Sequence, residues 1–187
     1  MQRRKAGPGK KESAEITGGF LLRALDAAAR AHALKRRKES KVPYLVHPAR
    51  VVERLRSLGI RDERVLAAAF LHDTLEDTGL RPAQIKKKFG TQVLSLVKQL
   101  TKHGELDVKQ LRTPEAVLIK MMDRIDNIQD FMVIRGKVKP DYIEEAEAIL
   151  ARAMEFEGRS NDPVRRELRS AIAQLIAEIE KARRASP

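Results

Sequence analysis

Apolar residues recur at three- and four-residue spacing along nearly the whole chain, and the alternation expected of a half-buried strand is scarce. The pattern predicts an all-α helical bundle. A first helix is expected from about Gly19 to Arg37, with Leu21, Leu22, Leu25, Ala28, Ala29 and His32 facing inward. A turn over Ser40 to Pro43 leads to a second helix near His47 to Leu58, ended by Gly59. Asp62 is placed to cap a third, Glu63 to about Asp77, whose run of alanines before Phe70 allows close helix contact. Pro82 opens a short helix that Gly90 breaks, with Phe89 turned to the core, and Thr91 to about Lys102 forms another. A polar loop follows, Lys102 to Leu111. Thr113-Pro114-Glu115 then reads as cap, first-turn proline and acidic first turn of a long helix reaching about Ile134. Gly136 to Pro140 ends it. Helices near Tyr142–Glu157 and Pro163–Arg184 follow, the last capped by Asn161 or Asp162.

With 187 residues the chain is long enough to bury one real core, and neither a repeat nor a linker divides it. One domain over residues 18–187 is expected, behind a flexible, disordered basic arm over residues 1–17. That arm holds Arg3, Arg4, Lys5, Lys10 and Lys11 around Gly7-Pro8-Gly9. Further basic clusters at Lys35 to Lys38 and Lys86 to Lys88 contribute to a formal charge of +12. Such a surface favours anionic partners without choosing between nucleic acid and a small polyphosphate. Aromatics at 4% leave few side chains for base stacking, which counts against single-stranded nucleic acid. The lack of cysteine excludes disulfides, zinc fingers, iron–sulfur clusters and thiol catalysis, and suits a cytoplasmic setting. No apolar run approaches the roughly 18 residues of a membrane span, so neither membrane anchor nor secretion signal is expected.

Chemistry enters through three separated stretches: PYLVHP (Pro43 to Pro48), LHDTLED (Leu71 to Asp77) and KMMDRIDN (Lys120 to Asn127). On a continuous helix His72 would stack with Glu76, and Asp73 with Asp77, because residues four apart share a face. His72 and Asp73 diverge by only about 100° and can lean toward one ion. With His47 from the preceding turn and Asp123 from a later helix they make a four-ligand set. Imidazole plus carboxylate without thiolate suits Mn²⁺ or Fe²⁺ before Mg²⁺ or Zn²⁺. Glu76 and Asp77 would then orient water and move its proton. Each piece has a plainer explanation alone: His47 as a helix-start residue, the carboxylates of the 71–77 stretch as a solvated helix face. Asp123, Asp126, Asn127 and Asp130 also read singly as a solvated acidic stripe. The apolar LAAAFL around the His-Asp doublet argues otherwise, since a charged doublet ending a buried helix is costly unless paired or metal-bound.

AHALKRRKESKVPYLVHPARVV, VLAAAFLHDTLEDTG, FG..V..LV..LTK and IKMMDRIDNIQD, in this order over roughly Phe20 to Phe131, resemble the hydrolase domain of RelA/SpoT proteins. The nearest resemblance is to the free-standing small alarmone hydrolases of the HD superfamily. It implies an all-α HD-domain bundle that uses Mn²⁺ to remove pyrophosphate from the 3′ position of (p)ppGpp, leaving GDP or GTP. It also implies His47, His72, Asp73 and Asp123 as metal ligands and Glu76 and Asp77 as the water-activating pair. Arg37 and Lys38 fall where the family sets a basic pair against guanine and phosphates, and Asn127 matches an Asn near the nucleotide. Arg124 is expected to orient carboxylates, and His32 to be a core histidine with a hydrogen-bond partner.

The chain departs from that pattern at two places. Asp126 stands where the family often carries His or Tyr, so a carboxylate facing the nucleotide or a cation is expected there. The Tyr that some members place under the nucleotide has no clear equivalent, Tyr142 being a weak substitute. These departures motivate a second reading, an HD-domain phosphohydrolase acting on another nucleotide. A third, a basic helical module for RNA or DNA, ranks below catalysis because the ligand and acid/base set is complete.

Overall fold

The computed structural model describes residues 17–38, 40–102, 104, 106–157 and 164–185. Within them the protein is helical: α1 (Thr17–Ala31), α2 (Val46–Ser57), α3 (Glu63–Leu71), α4 (Thr74–Asp77), α5 (Pro82–Leu100), α6 (Pro114–Arg135), α7 (Pro140–Glu157) and α8 (Arg165–Ala185). The all-α expectation holds. Of the basic arm expected over residues 1–17, residues 1–16 lie outside the described residues, as do the caps Asn161 and Asp162, while Thr17 begins α1.

Local chemistry sets most boundaries. The Asp62 carboxylate accepts from the Arg64 N–H at 2.8 Å and starts α3. Thr113 Oγ1 accepts from the Ala116 N–H ahead of Pro114 and starts α6. Gly136 closes α6 at φ 69°, a left-handed position that a side chain would strain. Gly90, at φ 87° and ψ 175°, divides α5 into two helices where the sequence expects the break. The 102–111 loop contains one 3-10 turn, Val108–Gln110.

The core is arranged around two helices. Every residue of α3 from Val65 to Leu71 is buried, and α3 packs on α1, α2 and α5. Ala67, Ala68 and Ala69 are fully enclosed, the small side chains that allow close axes. Helix α6 is buried all round from Ala116 to Asp126 and touches α2, α7 and α8. A helix so enclosed carries its polar residues only where other groups satisfy them. It carries Lys120, Asp123, Arg124 and Asp126.

Two expected helices are shorter than their apolar periodicity suggests. Helix α1 stops at Ala31, not Arg37. Beyond a turn at His32 to Leu34 the chain folds back: the Arg37 N–H donates to Val42 O and the Tyr44 N–H to Lys35 O, both at 2.9 Å. This return puts the basic cluster on a loop over the bundle end and carries Tyr44 to Asp73. The expected Glu63–Asp77 helix is broken at its His-Asp doublet, with α3 ending at Leu71 and Asp73 at φ −96°, ψ −1°. His72 Nδ1 lies 2.7 Å from Ala69 O and Thr74 Oγ1 donates to Leu71 O at 2.7 Å, so side chains take the carbonyls a continuing helix would use.

Candidate metal centre and its cavity

The helix break, rather than helix stacking, aims the doublet. His72 is 1% exposed, and its Nδ1 is engaged by the Ala69 carbonyl. Its Nε2 is buried without a hydrogen-bond partner, although Asp73 Oδ2 stands 2.9 Å away. His47, also 1% exposed, points Nε2 to within 3.1 Å of Asp123 Oδ1 and 3.7 Å of Asp73 Oδ2. Asp123 Oδ1 is 3.9 Å from His72 Nε2. All four expected ligands therefore converge, and donor atoms of His47, His72 and Asp123 lie within 4.8 Å of one another.

That arrangement fits a divalent metal ion. Two donors each about 2.1 Å from one cation and at right angles to it stand about 3 Å apart, the scale of these nitrogen–oxygen distances. Imidazole nitrogen and carboxylate oxygen are ligands that such ions accept. The Nε2 of His72 is a buried lone pair or N–H with no hydrogen-bond partner among the described residues, its nearest charged neighbour being Asp73 Oδ2.

Electrostatics agree. Burial drives the Asp73 and Asp123 carboxyls upward, yet both are held below the ordinary carboxylate range. For Asp73 the neighbouring His72 and His47 outweigh burial; for Asp123 the Lys120 ammonium, 2.8 Å away, and the two imidazoles do so. Burial lowers His47, but its hydrogen bonds to Asp123 and Asp126 and the charges of Asp123 and Asp73 raise it to about 9. Two carboxylates held ionised supply the negative charge that a cation would meet there. Tyr44 donates to Asp73 Oδ2 at 2.5 Å, and burial beside that carboxylate pushes the Tyr44 hydroxyl pKa upward.

His47, Asp73, Asp123, Lys120 and Tyr44 line a cavity of about 310 Å³, with His72 behind Asp73. Glu76 and Asp77 stand at its side. Glu76 Oε2 accepts from the Lys102 backbone N–H at 2.9 Å, and Asp77 pairs with the Lys35 ammonium. Arg37, Lys38 and Asn127 all line the same space. Arg37 is not a solvated helix end: Nη2 donates to Asn127 Oδ1 at 2.9 Å and Nε to Asp130 Oδ2 at 3.0 Å. Asn127 in turn donates to Asp123 Oδ1 at 2.7 Å, joining the basic loop to the expected ligand Asp123. Lys38 is exposed at the rim.

Several expectations need correction. The acidic stripe of α6 is not solvated: Asp123, Asp126 and Asp130 are 3%, 1% and 8% exposed. Asp126 does not line the cavity: its Oδ2 is taken by His47 Nδ1 at 2.8 Å, and its other oxygen lies toward Arg54 and Arg50. His32 has no hydrogen-bond partner among the described residues and instead lies against Tyr44, ring centroids 4.6 Å apart. Arg124 does pair with a carboxylate, that of Glu145 at 2.6 Å, and covers the Tyr142 ring at 4.8 Å. Tyr142 lines the cavity beside Phe131, so an aromatic wall is present where the sequence offered only a weak substitute. Sequence reasoning missed Lys35, Lys102, Lys120 and Tyr44. Tyr44 and Lys120 left a signal, their places inside PYLVHP and KMMDRIDN, and Lys35 its basic cluster; Lys102 looks like any other solvated charge.

The model of the HD domain family matches residues 24–115, a span that includes His47, His72 and Asp73. The chain is 34% identical over 144 residues to the guanosine-3′,5′-bis(diphosphate) 3′-pyrophosphohydrolase of Aquifex aeolicus, covering 70% of this chain and 20% of that protein. It is 39% identical over 122 residues to the Homo sapiens guanosine-3′,5′-bis(diphosphate) 3′-pyrophosphohydrolase MESH1, covering 59% of this chain and 68% of that one. The chain thus spans a fifth of the Aquifex relative and two thirds of the human one. Among solved structures it is similar to a metazoan SpoT ortholog that hydrolyses ppGpp. The TM-score is 0.62 at 27% identity, over 89% of this chain and 98% of that one. By this likeness the chain belongs to the HD-domain family of guanosine-3′,5′-bis(diphosphate) 3′-pyrophosphohydrolases.

Proposed function

We propose that this protein is a Mn²⁺-dependent (p)ppGpp 3′-pyrophosphohydrolase, yielding GDP or GTP and pyrophosphate, and that it works in the cytoplasm. The observation that carries the reading is the convergence of His47, His72, Asp73 and Asp123, three of which, His47, Asp73 and Asp123, line a cavity that basic side chains also line. These four residues would hold the ion. A bound divalent cation supplies Lewis acidity toward phosphoryl oxygen and eases deprotonation of water.

The remaining steps belong to the chain's own residues. Lys35, Arg36, Lys38, Lys102 and Lys139 give the cavity a positive rim that concentrates a polyphosphate. Arg37, held in place by Asn127 and Asp130, offers a guanidinium plane for base or phosphate, with Lys38 beside it and the ring of Tyr142 across the cavity. Glu76 is fixed through Oε2, so its Oε1 is the oxygen that takes a proton from the attacking water. The water oxygen bonds to phosphorus, the bond from phosphorus to the ribose 3′ oxygen breaks, and that oxygen takes up the proton that Glu76 accepted, which returns the carboxylate to its starting state. Asp77, set by Lys35, is the second carboxylate of the pair.

The test is incubation of the pure protein with Mn²⁺ and ppGpp beside a panel of other nucleotides. Release of GDP and pyrophosphate, with ppGpp preferred over the panel, supports the reading. No turnover from metal-loaded protein removes it, and preference for another nucleotide keeps the chemistry but changes the substrate.

A further inference from the structure

Asp126 is buried to 1% and absent from the cavity wall, yet it touches the metal centre from behind. Its Oδ2 is 2.8 Å from His47 Nδ1, on the far side of the ring from Nε2, which faces Asp73 and Asp123. Its other oxygen lies 3.6 Å from Arg54 Nη2 and 4.0 Å from Arg50 Nη1, both on α2. Arg54 is itself braced by Gln129 Oε1 at 2.5 Å, and Gln129 by Glu178 of α8 at 2.7 Å. Arg50 is braced by Asp130 at 3.2 Å. This is also the position where the family resembled by the sequence often carries His or Tyr.

We propose that Asp126 is the positioning residue of the metal centre. It fixes the His47 tautomer with the proton on Nδ1, leaves Nε2 as the atom directed at the ion, and strengthens that nitrogen as a donor. Both His47 nitrogens face carboxylates, which accept; a bound ion would take the place of the hydrogen on Nε2, and the one on Nδ1 stays with Asp126. An ionised acceptor polarises that N–H and makes the opposite nitrogen a better ligand. Arg54 and Arg50 approach only the other oxygen, at 3.6 and 4.0 Å, so the bond to His47 does not depend on either guanidinium. His72 has a weaker version of the same device, the neutral carbonyl of Ala69. Asp126 therefore makes His47 the better donor of the two imidazoles. The inference rests on the metal-centre reading above and not on the identity of the nucleotide.

The test compares Asp126→Asn and Arg54→Gln with the parent by calorimetric titration of Mn²⁺ at one fixed pH, with far-UV spectra alongside. Asn still accepts a hydrogen bond but lacks the charge. Mn²⁺ binding to Asp126→Asn is expected to weaken by about 10- to 100-fold, the usual effect of removing a partner behind a metal-bound imidazole. Saturating Mn²⁺ restores most of its turnover, and Arg54→Gln binds Mn²⁺ nearly as the parent does. Asp126→Asn binding as tightly as the parent overturns the proposal. So does Arg54→Gln losing as much as Asp126→Asn, which would make Asp126 only a clamp between α2 and α6. Should the Asn variant not fold, ¹⁵N-histidine spectra of the zinc-loaded parent decide: His47 protonated at Nδ1 supports the proposal, protonation at Nε2 ends it. A protein that binds Mn²⁺ but leaves ppGpp intact loses the proposed substrate while this inference stands. A parent that takes up no divalent ion ends both.

Discussion

The backbone N–H of Lys102 donates to Oε2 of Glu76 at 2.9 Å, tying the loop after α5 to the short helix that carries Glu76 and Asp77, the proposed acid/base pair. A backbone donor holds one carboxylate oxygen and leaves the other for chemistry. Glu76→Gln keeps the shape and can still accept that bond, so its effect isolates proton transfer. Turnover of ppGpp is expected to fall by about 10²- to 10⁴-fold, with Mn²⁺ binding unchanged. A variant keeping a large share of parental turnover would show that Glu76 is not the base.

Asp73→Ala removes a ligand and the acceptor of the Tyr44 hydroxyl together. The expected outcome is loss of both bound ion and turnover, with the helical far-UV spectrum retained. Elemental analysis beside the ppGpp assay reads both. Retention of a full complement of metal by the purified variant would remove Asp73 from the ligand set.

Tyr44→Phe deletes only the hydrogen bond to Asp73 and keeps the ring against His32. Bonds to charged acceptors contribute about 1.5–3 kcal/mol, and partners of metal ligands typically 10- to 100-fold in affinity. Weaker Mn²⁺ binding at the low end of that range is expected. Unchanged binding would mean that Asp73 is oriented by the backbone alone.

His47 has its pKa raised from 6.5 to about 9 in the folded protein: burial opposes its charge, but Asp123, Asp126 and Asp73 overcome it. In metal-stripped protein this contributes stability that is complete below pH 6.5 and is lost as pH rises through about 9. The melting temperature should fall across that window relative to His47→Gln. An ion must displace the same proton, so Mn²⁺ affinity should rise over the same window. Asp73 and Asp123, held low, act at the other end: their contribution is present above 3.8 and disappears as pH falls further below it. If parent and variant melted in parallel from pH 6.5 to 9, the imidazolium would not be held by its neighbours.

Ala68 is fully enclosed in α3, which packs against α1, α2 and α5. Ala68→Leu overfills this contact and should cost about 1–3 kcal/mol in urea unfolding. An equally stable variant would mean the helices have room that the burial of this stretch denies.

The fold class and most helix boundaries were legible because they are local. Helical spacing, Asp62 and Thr113 as caps, Gly90 and Gly136 as breaks act within a few residues of where they are written. The four converging residues were legible because His and Asp at those spacings have few other uses together. The ends of α1 and α3 were not, because competing side chains and distant partners decide them: Thr74 on Leu71, His72 on Ala69, Tyr44 on Asp73.

The sequence by itself determined that helices form, roughly where they stop, and which residue types could hold an ion. Only the tertiary structure decided that α6 would bury Asp126 against His47 and leave Nε2 facing Asp123. It also decided that Lys102 and Lys35 would reach Glu76 and Asp77. The reason is physical. A cap acts through its own turn of helix, whereas the protonation and aim of a buried charge depend on neighbours dozens of residues away that the packed core brings into contact.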